Sequence, residues 1–350
     1  MRYLGIDVHS SASVWCLLDD HGERAARGKI ETSYDTLKAL ATELGANEPL
    51  IAGHEVGTQV YLVHDAFTDA GVDIRAFNAA HLRMIAASRK KTDKRDAYWI
   101  ARSLQTGMTP HPVHIPRGEV RTLRRLLAQR GALVEDRKRW QLRARAHLRA
   151  RGMLVARGKE NIRRYIAAMT ANPQGVEPEL LSALGMCERA MDLLDEELEH
   201  VDGVLEERVR DNAIIQRLRT IPGIGQLVAT HIYAVIDDIR RFPNASSLSS
   251  YAGIVPSVRQ TGMAAHYGKI TKAGSPELRR VLVQAANSVM RSSRPDVAPL
   301  KAFFLRVYRN RGRKKIATVA LAHLLLKIAF HVWRDEADYD PTRLRCIGSK

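Results

Sequence analysis

The chain has 350 residues, of which 45% are hydrophobic, and its 55 Lys and Arg against 38 Asp and Glu give a formal net charge of +17. This length allows two or three domains with hydrophobic cores, and the composition excludes a disordered tail protein. So large an excess of positive charge indicates a polyanionic partner such as nucleic acid, because each phosphate contact releases counterions.

The first hundred residues alternate between strand-like and helix-like segments. Three short runs rich in β-branched and apolar residues predict a three-stranded meander at residues 3–8, 13–18 and 25–30. Helical spacing and further apolar runs then predict alternating helices and strands at residues 34–44, 50–54, 60–70, 73–78 and 95–105. This order predicts an α/β domain with a mixed sheet and helices on its faces.

From Pro116 onward the pattern changes to long helices. Residues 117–159 are rich in Lys and Arg, whereas a second predicted helix at 178–211 is rich in Glu and Asp. The two helices predict either an antiparallel hairpin or a coiled coil that mediates self-association. The acidic helix is also compatible with a solvated bundle face. The basic helix predicts nucleic-acid binding, because cations without nearby acids repel one another unless phosphates neutralise them.

Two glycine-containing segments in the last third of the chain predict phosphate contacts. Residues 221–225, which read Ile-Pro-Gly-Ile-Gly, precede an apolar helix and are typical of a helix-hairpin-helix, in which glycine lets the backbone approach a phosphate. The alternative is a plain turn between two helices. Residues 251–262 and 268–274 combine glycines with hydroxyls and cations, which indicates a phosphate-handling loop.

Three features bear on the compartment. The most apolar run, residues 316–333, is interrupted by histidine and lysine, and therefore predicts a buried helix rather than a membrane span. The N-terminus opens directly into a strand-like run, which leaves no room for a signal peptide. Cys16, Cys187 and Cys346 lie far apart and indicate neither a disulfide framework nor a zinc site. We therefore expect a cytoplasmic, nucleoid-associated protein of a bacterium or archaeon.

Four acidic residues lie in the pattern that ribonuclease-H-type nucleases use. Asp7 is in the first predicted strand, Glu55 ends a later one, and Asp93 and Asp96 are three apart, so that a helix beginning there places both on one face. Singly, each is compatible with an exposed acid or a helix cap. Gathered together, four carboxylates repel strongly without a cation, and Mg²⁺ prefers such oxygen ligands. The set predicts a two-metal site for phosphodiester chemistry.

Several motifs resemble the DEDD transposases of the insertion-sequence one-ten family, recombinases guided by a bridge RNA. They are GIDVHS, HEVGT, KTDKRDA, YAGIVPSVRQTG, GKITKAGSPELRR and QAA, and they span nearly the whole chain. The resemblance implies an α/β RuvC/ribonuclease-H-like catalytic domain at residues 1–112 and a helical coiled-coil connector at 113–212. It also implies a mainly α transposase domain with a helix-hairpin-helix-like element at 213–340, and a tail at 341–350.

The family resemblance also implies roles for individual side chains. The four acids would bind Mg²⁺, and a serine of the family's C-terminal domain acts as the nucleophile that links the protein covalently to DNA. The matching step here reads Gln260-Thr261-Gly262, which implies Thr261 as the nucleophile, with Ser257 as the alternative. Threonine supplies the same hydroxyl but is bulkier and stiffer at Cβ.

The activity that the resemblance implies is Mg-dependent DNA strand cleavage and exchange by an insertion-sequence transposase. A dimer or tetramer would bind donor DNA, target DNA and a structured guide RNA, and a composite site would combine the acids with a hydroxyl of another protomer. Base pairing would carry most of the sequence choice. The alternatives are a junction endonuclease that uses water and an inactive nucleic-acid-binding relative. The expected nucleic-acid contacts are Lys94, Arg95, Arg124, Arg125, Arg139, Arg143, Gly223, Gly225, Arg259, Lys269, Lys272, Arg279 and Arg280.

Overall fold

The computed structural model describes residues 1–85, 93–156, 158–261 and 264–343. For some of these residues, Asp93, Lys94, Arg259 and Thr261 among them, it describes the main chain only. The chain divides into two compact units, residues 1–116 and 117–350. The further division of the second unit into a connector and a transposase domain stays a prediction.

The first unit is built on a five-stranded mixed sheet. Its strands are β1 (Arg2–Asp7), β2 (Ala12–Leu18), β3 (Arg24–Glu31), β4 (Leu50–Glu55) and β5 (Asp73–Phe77). Its helices are α1 (Tyr34–Gly45), α2 (Val60–Asp69), α3 (Ala79–Ile85) and α4 (Asp93–Thr106). The strand order is β3-β2-β1-β4-β5, in which β1 pairs antiparallel with β2 and parallel with β4. This confirms the predicted meander and mixed sheet, and is compatible with a ribonuclease-H-like fold.

The two faces of this sheet are covered by different helices. On one face, Leu4, Ile6 and Ala52 are fully buried in a core with residues of α1 and α2. On the other face, α4 packs on β1, β2 and β4. Because side chains alternate along a strand, residues 3, 5 and 7 of β1 all face α4.

The second unit is mainly helical. Its helices are α5 (Gly118–Ala150), α6 (Lys159–Ala171), α7 (Pro178–Val209), α8 (Ala213–Arg219), α9 (Gln226–Ile236), α10 (Ala245–Ala252), α11 (Pro276–Arg291), α12 (Ala298–Arg311) and α13 (Lys314–Arg334). The predicted continuation of the basic helix to residue 159 was wrong. Helix α5 ends at Ala150, and Gly152 follows with a φ of 77°, a left-handed conformation that favours glycine and ends the helix.

Helices α5 and α7 pair along their length as an antiparallel hairpin. Ion pairs of opposite charge join them, from Arg130 to Asp202 at 2.5 Å and from Arg137 to Asp195 at 2.7 Å. This confirms the hairpin among the predicted arrangements, whereas self-association as a coiled coil stays a prediction. The premise that the basic helix lacks nearby acids was wrong for these two arginines, because the acids come from α7.

The predicted buried helix at 316–333 is α13, the central helix of the second unit's core. Among the described residues, α13 is long and apolar enough to cross a membrane. However, 67% of its most apolar 18-residue stretch is buried inside the protein. Leu321, Leu325 and Phe330 have no exposed surface. Helices α11, α12 and α10 pack on it. Its hydrophobicity is therefore used to build a protein core.

A two-stranded antiparallel hairpin, β6 (Pro256–Thr261) and β7 (Ala264–Ile270), interrupts the helices. The sequence predicted a loop here and not strands. Two glycines, one on each side of the hairpin, allow close backbone packing at the end of α10. A Cβ at Gly253 would lie 2.5 Å from the Ala273 carbonyl oxygen, and one at Gly274 would lie 1.9 Å from the Tyr251 carbonyl oxygen. These glycines serve close backbone packing.

Candidate active site

Two of the four predicted acids end neighbouring parallel strands. Asp7 is the last residue of β1 and Glu55 the last of β4, and the register pairs the residues just before them, Ile6 and His54. The carboxyl ends of parallel strands meet at the same edge of a sheet, and both acids face the α4 side by strand alternation. The sheet therefore places these two carboxylates side by side.

A glycine two residues before each of these acids, on the same face of the sheet, lets α4 approach closely. Gly5 and Gly53 are register partners, and a Cβ at Gly5 would lie 1.9 Å from the Ala97 carbonyl oxygen of α4. Further along α4, Arg102 lies against Gly22 in the turn between β2 and β3, at the opposite end of β1. Helix α4 therefore runs antiparallel to β1.

This direction places the first turn of α4 at the edge where the strand acids lie. Asp93 is the first residue of α4, and Asp96 follows in the same turn, half-buried. The side chain of Asp93 lies outside the description, so its distance to the other acids stays a prediction. The main chain alone shows that the four predicted acids come from three elements that meet at one edge.

Asp7 is held by its neighbours. Its side chain is 17% exposed, and the Nε2 of His9 lies 3.1 Å from one of its oxygens, positioned to donate a hydrogen bond. The side-chain amide of Gln59 donates to the Ser10 carbonyl at 3.0 Å, which ties the segment after β4 to the segment after β1. These contacts hold the end of β1, where Asp7 lies, and the segment after it, where His9 lies.

The donor set at this edge fits a hard divalent cation, because carboxylate oxygens are the ligands that Mg²⁺ prefers. Among residues 1–85, 93–156, 158–261 and 264–343, however, three or more potential metal ligands do not gather at one point. Asp7 and Glu55 supply two candidate ligands by strand register, and Asp96 lies on the adjoining helix turn. Completing the predicted set requires the side chain of Asp93.

His54 is a feature that the sequence reasoning missed. It points to the face opposite Glu55 and is fully buried, and its Nδ1–H donates to the Glu55 carbonyl at 2.9 Å. Burial lowers the pKa of His54 to about 4, so the ring is neutral at pH 7. Its Nε2 is buried and has no hydrogen-bond partner within the described residues. His54 therefore packs in the core on the face of the sheet opposite Glu55.

The two candidate nucleophiles lie on the β6–β7 hairpin. Thr261 is the last residue of β6 and pairs with Ala264 of β7, and its side chain is outside the description. Ser257 is half-buried, and its Oγ lies 2.5 Å from the point that a Cβ on Gly268 would occupy. The Ser257 hydroxyl therefore packs over the neighbouring strand at a glycine. Both assignments stay predictions.

The glycines of the predicted helix-hairpin-helix have different surroundings. Gly223 has a φ of 84°, and a Cβ there would lie 2.6 Å from Val289 and 2.7 Å from the Ala285 carbonyl oxygen of α11. Gly225 precedes α9 as its N-cap residue, and a Cβ on it would meet open space. Gly223 thus serves packing, whereas Gly225 leaves the start of α9 approachable. Phosphate binding by this turn stays a prediction.

The predicted nucleic-acid contacts fall into two groups. Arg124 donates to the Ala234 and Val235 carbonyls, at 2.6 and 2.9 Å, and Arg279 donates to the Ala252 carbonyl at 2.9 Å, so both guanidinium groups hold the fold together. In α5, Arg139 pairs with Asp136, and Arg143 lies over the ring of Trp140. The predicted cations with exposed side chains are Arg95, Arg125, Arg139, Arg143, Lys269, Lys272 and Arg280. The side chains of Lys94 and Arg259 lie outside the description.

Two family models match the chain. A DEDD transposase model of the IS110 type matches residues 4–151, and a model described as "Transposase IS116/IS110/IS902 family" matches residues 215–301. The first match contains all four predicted acids, and the second contains both candidate nucleophiles. Together the two matches include parts of both compact units of the chain.

Individual relatives agree with these models. The chain is 25% identical over 329 residues to the transposase for insertion sequence element IS1111A of Coxiella burnetii, an alignment of 92% of this chain and 87% of the relative. It is 34% identical over 124 residues to a pilin gene-inverting protein of Moraxella lacunata, covering 35% and 38% of the two chains. It is 29% identical over 155 residues to the transposase for insertion sequence element IS1328 of Yersinia enterocolitica, covering 44% and 46%.

Proposed function

Because this chain belongs to the IS116/IS110/IS902 family of DEDD transposases, we propose that it moves an insertion sequence by cutting and rejoining DNA strands. The relatives include transposases of insertion elements and a pilin gene-inverting protein. Transposition and gene inversion both break and reform phosphodiester bonds between DNA segments. The proposed substrate is therefore a pair of DNA sites, donor and target.

One observation carries the proposal. Asp7 and Glu55 end adjacent parallel strands on the face that α4 covers, and α4 begins with Asp93 and Asp96 at the same edge of the sheet. A basic protein with a net charge of +17 whose acids lie on elements that share one edge of a sheet is suited to a cation that it shares with a phosphate. The four acids would hold divalent metal, proposed as Mg²⁺, which when bound activates a nucleophile and stabilises the leaving oxygen.

The covalent step is assigned to Thr261. Its Oγ would form a bond to phosphorus while the bond from phosphorus to the 3′ oxygen breaks. The hydroxyl proton passes to water or to a carboxylate of the site, and the 3′ oxygen takes up a proton as it leaves. Attack by the 3′ hydroxyl of the other DNA strand reverses the step, frees Thr261 and joins the exchanged strands. Ser257 is the alternative nucleophile, and with it the same bonds would form and break.

The guide is proposed to be a structured RNA, and the active form a dimer or tetramer. The exposed cations Arg125, Lys269, Lys272 and Arg280 support binding of a polyanion by the second unit. Charge alone suits RNA and DNA equally, so RNA guidance needs its own test. If the RNA is required, treating the purified complex with ribonuclease before DNA is added should abolish cleavage.

The experiment that tests the chemistry is a search for the covalent intermediate. Protein co-expressed with its flanking element is mixed with labelled donor and target DNA and Mg²⁺, and denaturing gels are examined for a protein–DNA adduct. Wild type is compared with Thr261→Ala, Ser257→Ala and Asp7→Asn. Adduct formation should be lost in Asp7→Asn and in one of the two hydroxyl variants, which identifies the nucleophile.

Other outcomes separate the alternatives. Cut DNA without an adduct in any variant would indicate an endonuclease that uses water, and would refute the strand-exchange proposal. Tight DNA binding without cleavage, with or without the element's RNA, would indicate an inactive binding protein. Thr261→Ser serves as the conservative control, since it keeps the hydroxyl and relieves the crowding at Cβ.

A further inference from the structure

Helix α4 leaves the β3 side of the sheet uncovered. It packs on β1, β2 and β4, whereas along the edge strand β3 the residues that face the α4 side, Arg27, Lys29 and Glu31, are all exposed. The register supports this facing, because Arg27 is paired with Cys16, which is buried against Ala97 and Ala101 of α4. The uncovered strip and the flank of α4 therefore form two walls of one groove.

The groove has the side chains of a nucleic-acid site. Its volume is about 680 Å³, with Arg24, Arg27 and Lys29 on the strand wall and Arg95, Tyr98 and Trp99 on the helix wall. Within the described part of the chain, no ion pair neutralises Arg27, Lys29 or Arg95. The rings of Tyr98 and Trp99 meet edge to face at 5.6 Å, and the Arg24 guanidinium lies 5.5 Å from the Tyr98 ring centre. Cations and aromatic rings thus face one another across a space of nucleotide size.

The groove opens next to the candidate active site. Lys29 is paired with Val14 of β2, and Val14 is paired with Asp7 of β1, so the three residues form one row across the sheet on the same face. Two strand spacings separate the first and last members, which corresponds to about 10 Å between Lys29 and Asp7. A polynucleotide strand whose phosphate reached Asp7 would therefore place its next nucleotides in the groove.

We propose that this groove, formed by the exposed face of β3 and the flank of α4, binds an unpaired stretch of the polynucleotide strand adjacent to the phosphodiester at Asp7. Arg27 and Lys29, two residues apart on one strand face, contact consecutive phosphates, and Trp99 stacks on a base. Aromatic stacking with backbone cations is how proteins hold single strands irrespective of sequence. The role of the groove in catalysis rests on the proposed function, since it presumes that a phosphodiester binds at Asp7.

The test measures binding without chemistry. Fluorescein-labelled oligothymidylate is titrated with the full-length protein in EDTA by fluorescence anisotropy at several salt concentrations. Trp99→Ala should weaken binding roughly 5-fold to 150-fold, which corresponds to about 1–3 kcal/mol for the loss of one base–aromatic stack. The double variant Arg27→Ala/Lys29→Ala should lower the slope of log affinity against log salt by about 1.4, which is about 0.7 for each phosphate that is no longer neutralised.

A matched control lies on the other face of the same sheet. Lys38 is on α1, which packs on the face opposite α4, so Lys38→Ala removes one charge from the same unit without touching the groove. It should leave the affinity close to wild type, and Lys29→Ala is its direct counterpart. Trp99→Phe keeps an aromatic ring beside Tyr98 and should retain much of the affinity, which separates loss of stacking from loss of folding. Thermal melts of all variants monitor the fold.

Three further arms decide the interpretation. Groove variants that bind oligothymidylate as the Lys38→Ala variant does would overturn the inference, and so would an equal effect of Trp99→Ala on a fully paired duplex. Comparison with oligouridylate identifies the strand: a larger Trp99 effect with the RNA assigns the groove to RNA, and a larger effect with the DNA assigns it to DNA. Since the assay contains no metal, a missing covalent adduct refutes the proposed chemistry and leaves the result on the groove intact.

Discussion

The contact between Gly5 and α4 allows a graded prediction on three glycines of the first unit. A Cβ at Gly5 would lie 1.9 Å from the Ala97 carbonyl oxygen and 2.6 Å from the Ala101 nitrogen, and both atoms are backbone. At Gly53 it would lie 2.9 Å from Leu104 and 3.0 Å from Phe77, both side chains. At Gly57 it would meet nothing within 4 Å. The three sites therefore differ mainly in what an added methyl group must displace.

The expected effects follow from those distances. Gly5→Ala would require α4 to retreat by about 1 Å, because real Cβ contacts are essentially never shorter than 3.0 Å. Overpacking of this kind costs about 1–3 kcal/mol, and a 1 Å displacement of catalytic groups reduces the rate by about 100-fold. Gly53→Ala should cost about 1 kcal/mol, because side chains can rotate away. Gly57→Ala should leave the melting temperature unchanged.

The assays are thermal unfolding and the rate of the proposed DNA cleavage in the presence of Mg²⁺. The decisive comparison is between the two losses, since Gly5→Ala should reduce cleavage by more than its lowered stability explains at a temperature where the variant is folded. If Gly5→Ala melted and cleaved like the wild type, α4 would not be held against β1 at this glycine. In that case β1 and α4 would not bring the acids together.

Two other perturbations have defined outcomes. Asp195 is 20% exposed and pairs with both Arg137 and Arg163, each 28% exposed, so Asp195→Ala should destabilise the junction of α5, α6 and α7 by about 1–3 kcal/mol. Faster hydrogen exchange confined to α6 and the adjoining turns would show it, and unchanged exchange would contradict it. Burial lowers the pKa of His54 from 6.5 to about 4. As the pH drops from about 6.5 to 4, the unfolded chain therefore binds a proton at His54 while the folded chain does not. The free energy of unfolding should fall over this range by about 1.4 kcal/mol per pH unit. The His54→Gln variant should show a shallower loss of melting temperature over that range, and an equal loss would show that this histidine is not responsible.

Much of the first unit could be predicted from sequence because its signals are local. The strands and helices have their periodicities, and the predicted strand at 50–54 was confirmed as Leu50–Glu55 with its acid at the end. What the acids do together could be predicted only through spacing and resemblance. The role of Gly5 could not be predicted, because it depends on which helix covers which strand, and that is decided by packing between distant segments.

The second unit shows the same limit in its charges. The sequence assigned the cations of α5 to phosphates, yet Arg130 and Arg137 pair with acids that lie 72 and 58 residues away in the chain. Which cations face a neighbouring helix is fixed by the register of the hairpin, and a single helix does not reveal it. The groove cations Arg27 and Lys29 were missed for a related reason, although their alternation on an edge strand was visible in the sequence.

The α5–α7 hairpin contains two separate cores. Near its base, Leu123 and Leu127 of α5 join the main core of the second unit, whereas near its tip Ala144 and Leu148 pack with α6 in a core of their own. Between the two, the helices are joined by the ion pairs of Arg130 and Arg137.

Such an arm can change its length without changing either of its ends. Inserting one heptad into each helix, at facing positions, would lengthen the hairpin by about 10 Å and leave both cores intact. The arm is thus the part of this fold in which a change of length would alter the distance between the tip and the base without disturbing either core.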